Sequence, residues 1–120
     1  MSYDYLAGPY SHVDPEVREQ RYLEAMRCVA WLLHHKVWAF SPIVHCHEMA
    51  KRFKLEVDWT TWEEYDSIML IPAKRLLILT LEGWEDSQGV NQEALLANAL
   101  NKPIHFIHPA TYKLTEEPNK

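Results

Sequence analysis

The run of residues 76–81, Leu-Leu-Ile-Leu-Thr-Leu, most constrains how this chain can fold. It is apolar at every position but Thr80, so it cannot alternate between a buried face and a solvent-exposed face. Strands with this composition are typical of parallel sheets that are covered by helices on both faces. The run therefore predicts a central parallel strand with helices packed on either side.

The rest of the chain alternates between strand-like and helix-like patterns. Asp14-Pro15-Glu16 offers an N-cap, a proline at the first helical position and an acid in the first turn. An apolar stripe of helical period follows it, formed by Tyr22, Ala25, Met26, Val29, Ala30 and Leu33. The other predicted elements are strands at 3–7, 37–40 and 103–107, a helix from Asp58 to Pro72 and a helix around 90–100, with 42–55 left open between a loop and a short helix.

This alternation predicts an α/β fold: a Rossmann-like or flavodoxin-like parallel sheet of four to five strands, flanked by helices on both faces. A chain of 120 residues suits one domain. We place that domain at residues 1–108. The polar remainder, 109–120, is predicted to be a mobile tail or an arm that reaches a partner subunit.

Charge and terminal sequence exclude several classes of partner. The net charge is −5 and the lysines and arginines are scattered, which disfavours polymeric nucleic acid but leaves room for a small phosphorylated ligand. The first residues, Met1-Ser2-Tyr3-Asp4, lack the basic segment and apolar run typical of a signal peptide, and no stretch approaches the roughly 18 apolar residues of a membrane span. Cys28 and Cys46 do not form a disulfide framework. We therefore expect a cytoplasmic protein with no membrane partner.

Two carboxylates stand where helical geometry turns them toward the core. Asp66 shares a helical stripe with Trp62 and Met69, and Glu93 lies between Val90 and Ala97. Their helices flank the central strand, so the two acids are expected to converge at its carboxyl end, where open α/β sheets bind ligands. The alternative is that each acid lies at a helix edge or in a structural ion pair. A convergent pair suits glycosidic cleavage, in which one carboxylate attacks or stabilises the anomeric carbon and the other supplies a proton.

Several segments together resemble nucleoside 2-deoxyribosyltransferases and the related 2'-deoxynucleoside 5'-phosphate N-hydrolases. The resemblance covers about 100 residues and rests on residues 5–10 (Tyr-Leu-Ala-Gly-Pro-Tyr), Asp66, residues 86–93 (Asp-Ser-Gln-Gly-Val-Asn-Gln-Glu), Ala97 and Lys102-Pro103. Ser41-Pro42-Ile43 with His45, and Gly83-Trp84, are similar to a small bacterial and phage branch of that superfamily.

The resemblance implies roles for individual residues. Glu93 would attack C1' of the sugar, Tyr5 would orient Glu93, and Asp66 would act near the base and its protonation. The transferases carry an aspartate beside the sugar's 5' end, whereas this chain has Ser87, as the nucleotide hydrolases do. A hydroxyl at a helix N-terminus beside Gly89 can bind a 5'-phosphate that a fixed anion would repel.

Other residues are candidates for the substrate pocket. They are Gly8 and Tyr10 after the first strand, Arg21 as a counter-charge for phosphate, Ser41, His45 beside the base, and Trp84 as a stacking surface. Arg21 has the alternative of a solvated helix flank. His45, Cys46, His47 and Glu48 suggest a metal cluster, but a second pair of ligands at recognisable spacing is missing. We therefore predict no metal and no cofactor, and place His47 on a loop surface.

The predicted function is an N-glycosidase that cleaves the base from a (deoxy)nucleoside 5'-monophosphate through a covalent glycosyl-glutamate intermediate. The alternatives are a nucleoside 2-deoxyribosyltransferase, a catalytically silent nucleotide-binding module, and a metal-dependent hydrolase that uses His45 and His47. The small domain offers no obvious lid for its pocket. We therefore expect a homodimer or a higher homo-oligomer.

Overall fold

A computed structural model describes residues 2–55 and 59–118 of the chain. The strands in these residues are β1 (Asp4–Ala7), β2 (Ala39–Phe40), β3 (Arg75–Leu79), β4 (Ile104–Ile107) and β5 (Leu114–Thr115). The α-helices are α1 (Pro15–His34), α2 (Pro42–Arg52), α3 (Trp59–Leu70) and α4 (Gln88–Ala99), and a 3-10 turn spans Trp84–Asp86. The predicted N-cap of α3, Asp58, lies outside the described residues.

The five strands form one sheet in the order β2-β1-β3-β4-β5. The first four strands are parallel, with Tyr5 opposite Leu76 and Leu76 opposite Ile104, whereas β5 runs antiparallel to β4. This mixed α/β architecture, with a mostly parallel sheet flanked by helices, is compatible with a Rossmann-like fold. The predicted fold class is confirmed.

Alternate residues of the central strands point to opposite helical layers. On one face Tyr5, Leu76 and Ile78 pack with residues of α3 and α4, such as Leu70 and Val90. On the other face Leu6, Leu77 and Leu79 pack with residues of α1, namely Ala25, Cys28 and Leu32. Since both faces of β3 are covered, both of its side-chain sets must be apolar.

Helix α1 begins at the predicted N-cap, but the set of residues that it buries differs from the predicted stripe. The Asp14 carboxylate accepts a hydrogen bond from the backbone N–H of Glu16 at 2.9 Å, as expected of an N-cap. Met26 and Leu33 are 38% and 57% exposed, whereas Cys28 is buried. The helix is rotated relative to the prediction, so that Ala25, Cys28 and Leu32 are its buried residues.

Residues 109–118 do not form the free tail that we predicted. Leu114 and Thr115 form β5, which pairs with Ile107 and Phe106 of β4, and Leu114 packs beside the buried cluster under α1. Two residues are too few to show a strand period, and β4 supplies the hydrogen bonds that hold them. The predicted arm to a partner subunit is therefore paired within its own sheet. Among the described residues, no helix has the length and apolar character needed to cross a membrane.

Candidate active site

The strand order reverses beside β1, and a cavity of about 490 Å³ opens there at the carboxyl ends of β1 and β3. In open α/β sheets this reversal leaves a crevice, because the connections from neighbouring strands leave in opposite directions. The loop after β1, helices α2 and α3, the loop after β3 and the start of α4 all contribute to the wall. The cavity therefore lies where the topology predicts a ligand.

Glu93 lines this cavity and forms a hydrogen-bonded pair with Tyr5. Tyr5 is fully buried on β1, and its hydroxyl donates to Oε2 of Glu93 on α4. The pKa of Glu93 is raised to about 8, mainly by burial. The hydrogen bond from Tyr5 partly opposes this rise, and the charge of Asp66 adds to it. Burial also raises the pKa of Tyr5, so that its hydroxyl remains a donor. Tyr5 thus fixes one carboxylate oxygen of Glu93, Oε2, and does not bind the other.

Asp66 lines the same cavity from α3. Its Oδ1 atom is buried and has no hydrogen-bond partner among the residues that the structure describes. Burial raises the pKa of its carboxyl group to about 6. Buried polar atoms are rarely left unpaired, and those that are often belong to sites that a ligand completes. Asp66 and Glu93 therefore converge as the sequence predicted, as two carboxyls with different environments.

Arg21 joins two loops at the mouth of the cavity. Its Nη1 donates to the carbonyl of Ser11 at 3.0 Å and its Nη2 to the carbonyl of Glu82 at 3.3 Å. Gly83 has a φ of +91°, and a Cβ at this position would lie 2.8 Å from Nη2 of Arg21. A side chain at residue 83 would therefore strain the backbone and displace the guanidinium, which lines the cavity.

The start of α4 supplies the remaining polar wall. Ser87 is the N-cap of α4, and its Oγ accepts from the backbone N–H of Val90 at 3.2 Å. Asp86, Ser87 and Gly89 all line the cavity. The hydroxyl hydrogen of Ser87 remains available to a ligand, and the helix N-terminus favours negative charge.

The structure brings most of the predicted site residues to one cavity. Its lining includes Gly8, Tyr10, Arg21, Asp66, Ser87, Gly89 and Glu93.

Four other predicted residues lie outside that lining. Tyr5 is buried on β1 and is joined to the cavity through its hydrogen bond to Glu93. Ser41 is buried as the N-cap of α2, where its Oγ accepts from the N–H of Val44 at 3.2 Å. His45 is exposed on α2 beside the rings of Phe40 and Tyr65. Trp84 packs on Phe106, with ring centroids 5.5 Å apart.

His47 is the cavity residue that sequence reasoning misplaced. It is not on a loop surface but on α2, where it is 7% exposed and lines the cavity. The signal that would have found it is the helical spacing of Ile43, Cys46, His47 and Ala50, all of which line the cavity. Because His45 precedes it by two helical residues, the two rings point away from each other. The pairing required by the metal-dependent hydrolase alternative is therefore not formed.

The acidic group that does form around His47 has protein partners of its own. Ligand-type atoms of Glu19, His47 and Glu48 lie within 4.8 Å of one another. Both ring nitrogens of His47 are in hydrogen-bonding range of protein groups, Tyr10 and Glu19, and Nζ of Lys51 lies 3.5 Å from Oε1 of Glu19. A lysine beside the carboxylate opposes the binding of a cation there.

The fold and the cavity define an α/β protein with a carboxyl pair at the ligand-binding end of a mostly parallel sheet. The chain belongs to a family described as a domain of unknown function (DUF1937), whose model matches residues 3–108. No curated protein matches the chain. The matched range holds every cavity-lining residue and ends before β5.

Proposed function

We propose that this protein is an N-glycosidase that hydrolyses the bond between base and sugar in a nucleoside 5'-monophosphate. One observation carries the proposal: a partly buried glutamate, fixed by a tyrosine hydroxyl, shares a cavity with a second carboxyl that has a buried oxygen without a hydrogen-bond partner among the described residues. The resemblance to deoxyribosyltransferases and nucleotide N-hydrolases assigns the same three residues, Tyr5, Asp66 and Glu93, to catalysis.

The geometry supports a two-step reaction. In the first step the free oxygen of ionised Glu93 attacks C1', the glycosidic bond breaks, and the base leaves with the bonding electrons and the proton of Asp66. In the second step Asp66 accepts a proton from water, the water oxygen bonds to C1', and Glu93 leaves as a carboxylate. The sugar phosphate and free base are released, and both carboxyls return to their initial state.

A panel of nucleosides and 5'-monophosphates, analysed by chromatography for released base, tests this proposal. Release of base from at least one monophosphate is the expected result. Binding without release would instead support the catalytically silent nucleotide-binding module. Transfer of the sugar to an added second base, faster than hydrolysis, would support the deoxyribosyltransferase alternative, which shares the covalent intermediate.

The pH dependence of kcat/KM should be bell-shaped with a maximum near pH 7. The pKa of Asp66 is raised to about 6 and that of Glu93 to about 8, so the pair holds one proton between these values. That proton resides mostly on Glu93, and the reactive form, with Glu93 ionised and Asp66 protonated, is the minor of the two singly protonated states. Below about pH 6 both groups are protonated and no nucleophile remains, whereas above about pH 8 both are ionised and no acid remains.

The variant Asp66→Asn separates the two limbs of this profile. Without Asp66, activity should no longer fall at high pH. The rise should move from about pH 6 toward pH 8, because it then follows the ionisation of Glu93 alone, whose pKa is raised mainly by burial and only in smaller part by the charge of Asp66. Release of poor leaving groups should slow most, since they depend most on protonation. An unchanged high-pH limb, or equal slowing for all bases, would contradict the role of Asp66 as acid.

We further propose that 5'-monophosphates are preferred over nucleosides by about tenfold or more in kcat/KM, because one charge-assisted hydrogen bond contributes roughly 1.5–3 kcal/mol. The support is the position of Ser87 and Gly89 at the start of α4, with Arg21 at the same cavity.

Ser87→Asp should erase or reverse the preference for 5'-monophosphates. Ser87→Asn is the matched control, because all three side chains cap a helix but only aspartate adds charge. The same ratio in both variants would mean that the phosphate lies elsewhere.

We also propose that the protein works as a dimer or a higher oligomer. A second cavity of about 310 Å³ opens between α3 and α4, and Asp66, Glu93 and Leu95 line it. Leu95 is exposed at this opening, and α3 carries a further exposed apolar residue, Ile68. A second copy that covered this opening would bury apolar surface and exclude water from the carboxyl pair. Light scattering should show at least a dimer, and a fully active monomer would contradict the proposal.

A further inference from the structure

A hydrogen-bonded relay of three side chains, Tyr10, His47 and Glu19, extends from the cavity wall to the protein surface. The Tyr10 hydroxyl lies 2.7 Å from Nδ1 of His47, and Nε2 of the same ring lies 2.9 Å from Oε1 of Glu19 on α1. The ring of Tyr22 stacks on the imidazole, with centroids 4.1 Å apart and planes at 17°. The imidazole is therefore held at both nitrogens and on one face. The catalytic steps above use none of these groups.

The direction of the hydrogen bonds in this relay follows from Glu19. The hydrogen bond with His47 lowers the pKa of Glu19, and Lys51 lies 3.5 Å away, so the carboxylate is ionised and can only accept. In the neutral ring the proton is then on Nε2, and Nδ1 is an acceptor. Tyr10 must donate its hydroxyl hydrogen to Nδ1. Its oxygen is therefore presented to the cavity as a hydrogen-bond acceptor.

The relay lies on the side of the cavity that suits a base. In the sheet, β2 and α2 lie on one side of β1, whereas β3 and the start of α4 lie on the other. Ser87 and Gly89 stand on the α4 side, and the α2 side carries the apolar residues Pro42 and Ile43. A sugar held over the carboxyl of Glu93, with its phosphate toward α4, would direct its flat base toward α2 and Tyr10.

We propose that the Tyr10–His47–Glu19 relay makes the pocket selective for bases that carry an exocyclic amino group. This inference rests on the proposed function. An amino group of adenine or cytosine would donate to the Tyr10 oxygen, whereas the carbonyl of hypoxanthine or uracil would face it as a second acceptor. A site with a fixed acceptor rejects a ligand that lacks the matching donor, because the acceptor is then left unpaired. Tyr10 would contact the base, and His47 and Glu19 would act as positioning residues.

The test measures binding in the Glu93→Gln protein, so that turnover does not interfere. Calorimetry would compare two pairs of probes, dAMP with dIMP and dCMP with dUMP. In at least one pair the amino member should bind about tenfold more tightly or better, a ratio that corresponds to about 1.4 kcal/mol. Adding Tyr10→Phe should bring this ratio to near one. Glu19→Gln, a change at a partly exposed surface position, should also lower it, because a neutral amide no longer fixes the tautomer of His47.

Tyr22→Phe is the matched control, since it removes a hydroxyl but keeps a ring stacked on His47, and it should leave the ratio unchanged. Failure of all four probes to bind would contradict the proposed function itself. Binding without preference in the Glu93→Gln protein would overturn the selectivity alone. A ratio that survives Tyr10→Phe or Glu19→Gln, even with uniformly weaker binding, would show that the relay only supports the loop and would overturn the proposal.

Discussion

Replacing Glu93 with Gln is expected to lower base release by about 10³-fold or more while nucleotide affinity stays within about threefold. Glutamine keeps the size of the side chain and can still accept from Tyr5, but it lacks the charge that attacks C1'. The measurement is single-turnover release of base together with calorimetric binding. Glu85→Gln, an exposed neighbour in the loop before α4, is the control and should retain activity. Release within tenfold of the unaltered protein would remove Glu93 from the mechanism.

The same variant has an expected stability that is independent of catalysis. The folded-state pKa of Glu93 is about 8, above its ordinary value of 4.5, so the folded protein binds this proton more tightly than the unfolded chain. The stability that this bound proton contributes is fully present below about pH 4.5 and is lost as the pH rises through about 8. At pH 8 Glu93→Gln should therefore be more stable than the unaltered protein, on the order of 4 kcal/mol, because the shift from 4.5 to about 8 spans about 3.5 pKa units and one unit equals 1.36 kcal/mol. Thermal unfolding at pH 4 and pH 8 would measure this and confirm that the inactive variant is folded.

Replacing Arg75 with Met is expected to destabilise the fold by about 3–5 kcal/mol, because it leaves a buried charge unpaired. Asp4 is 0% exposed at the start of β1, opposite Arg75 on β3. Arg75 donates from Nε to Oδ1 at 3.2 Å and from Nη2 to Oδ2 at 2.7 Å, a two-pronged geometry that lysine could not reproduce. This would be a large part of the roughly 5–15 kcal/mol that stabilises a typical domain.

Urea denaturation would measure the loss, with Arg27→Met as the matched control. Arg27 forms an ion pair with Glu24 at 2.7 Å, but it is 59% exposed, so its removal should cost less than about 1 kcal/mol. Adding Asp4→Leu to Arg75→Met should recover much of the loss, because the unpaired charge is then gone. Equal effects of the two arginine variants would mean that burial of Asp4 does not govern the energy.

Sequence reasoning succeeded where a single segment carried the relevant pattern. The apolar run of β3 predicted a doubly covered strand, and Asp14-Pro15 predicted the start of α1. The helical phase of Asp66 and Glu93 turned both acids inward, and the cavity brings them together. In each case the information was local, because helix and strand periods follow from backbone geometry alone.

Sequence reasoning did not succeed where the structure depends on contacts between distant segments. The pairing of Tyr5 with Glu93 spans 88 residues, and that of Tyr10 with His47 spans 37. The role of Tyr5 was accessible only through the family resemblance, whereas the pairing of Tyr10 with His47 went unseen. The segment 42–55 was left open between a loop and a short helix, although the buried face of helix α2 has a helical period. The two residues of β5 carry no periodic pattern, since β4 holds them in place.

The antiparallel pairing of β5 also bears on self-association of the sheet through its edges. With β5 in place, the sheet ends at each side in a strand of two residues, β2 or β5. In a polypeptide cut after His108, β4 (Ile104–Ile107) would be the edge strand, and its backbone groups that face away from β3 would be unpaired. Unprotected edges of this kind recruit strands from other molecules and lead to aggregation. The short segment after the family match therefore protects the edge of the sheet by pairing with β4. A polypeptide for expression is better ended beyond β5 than at the end of the family match.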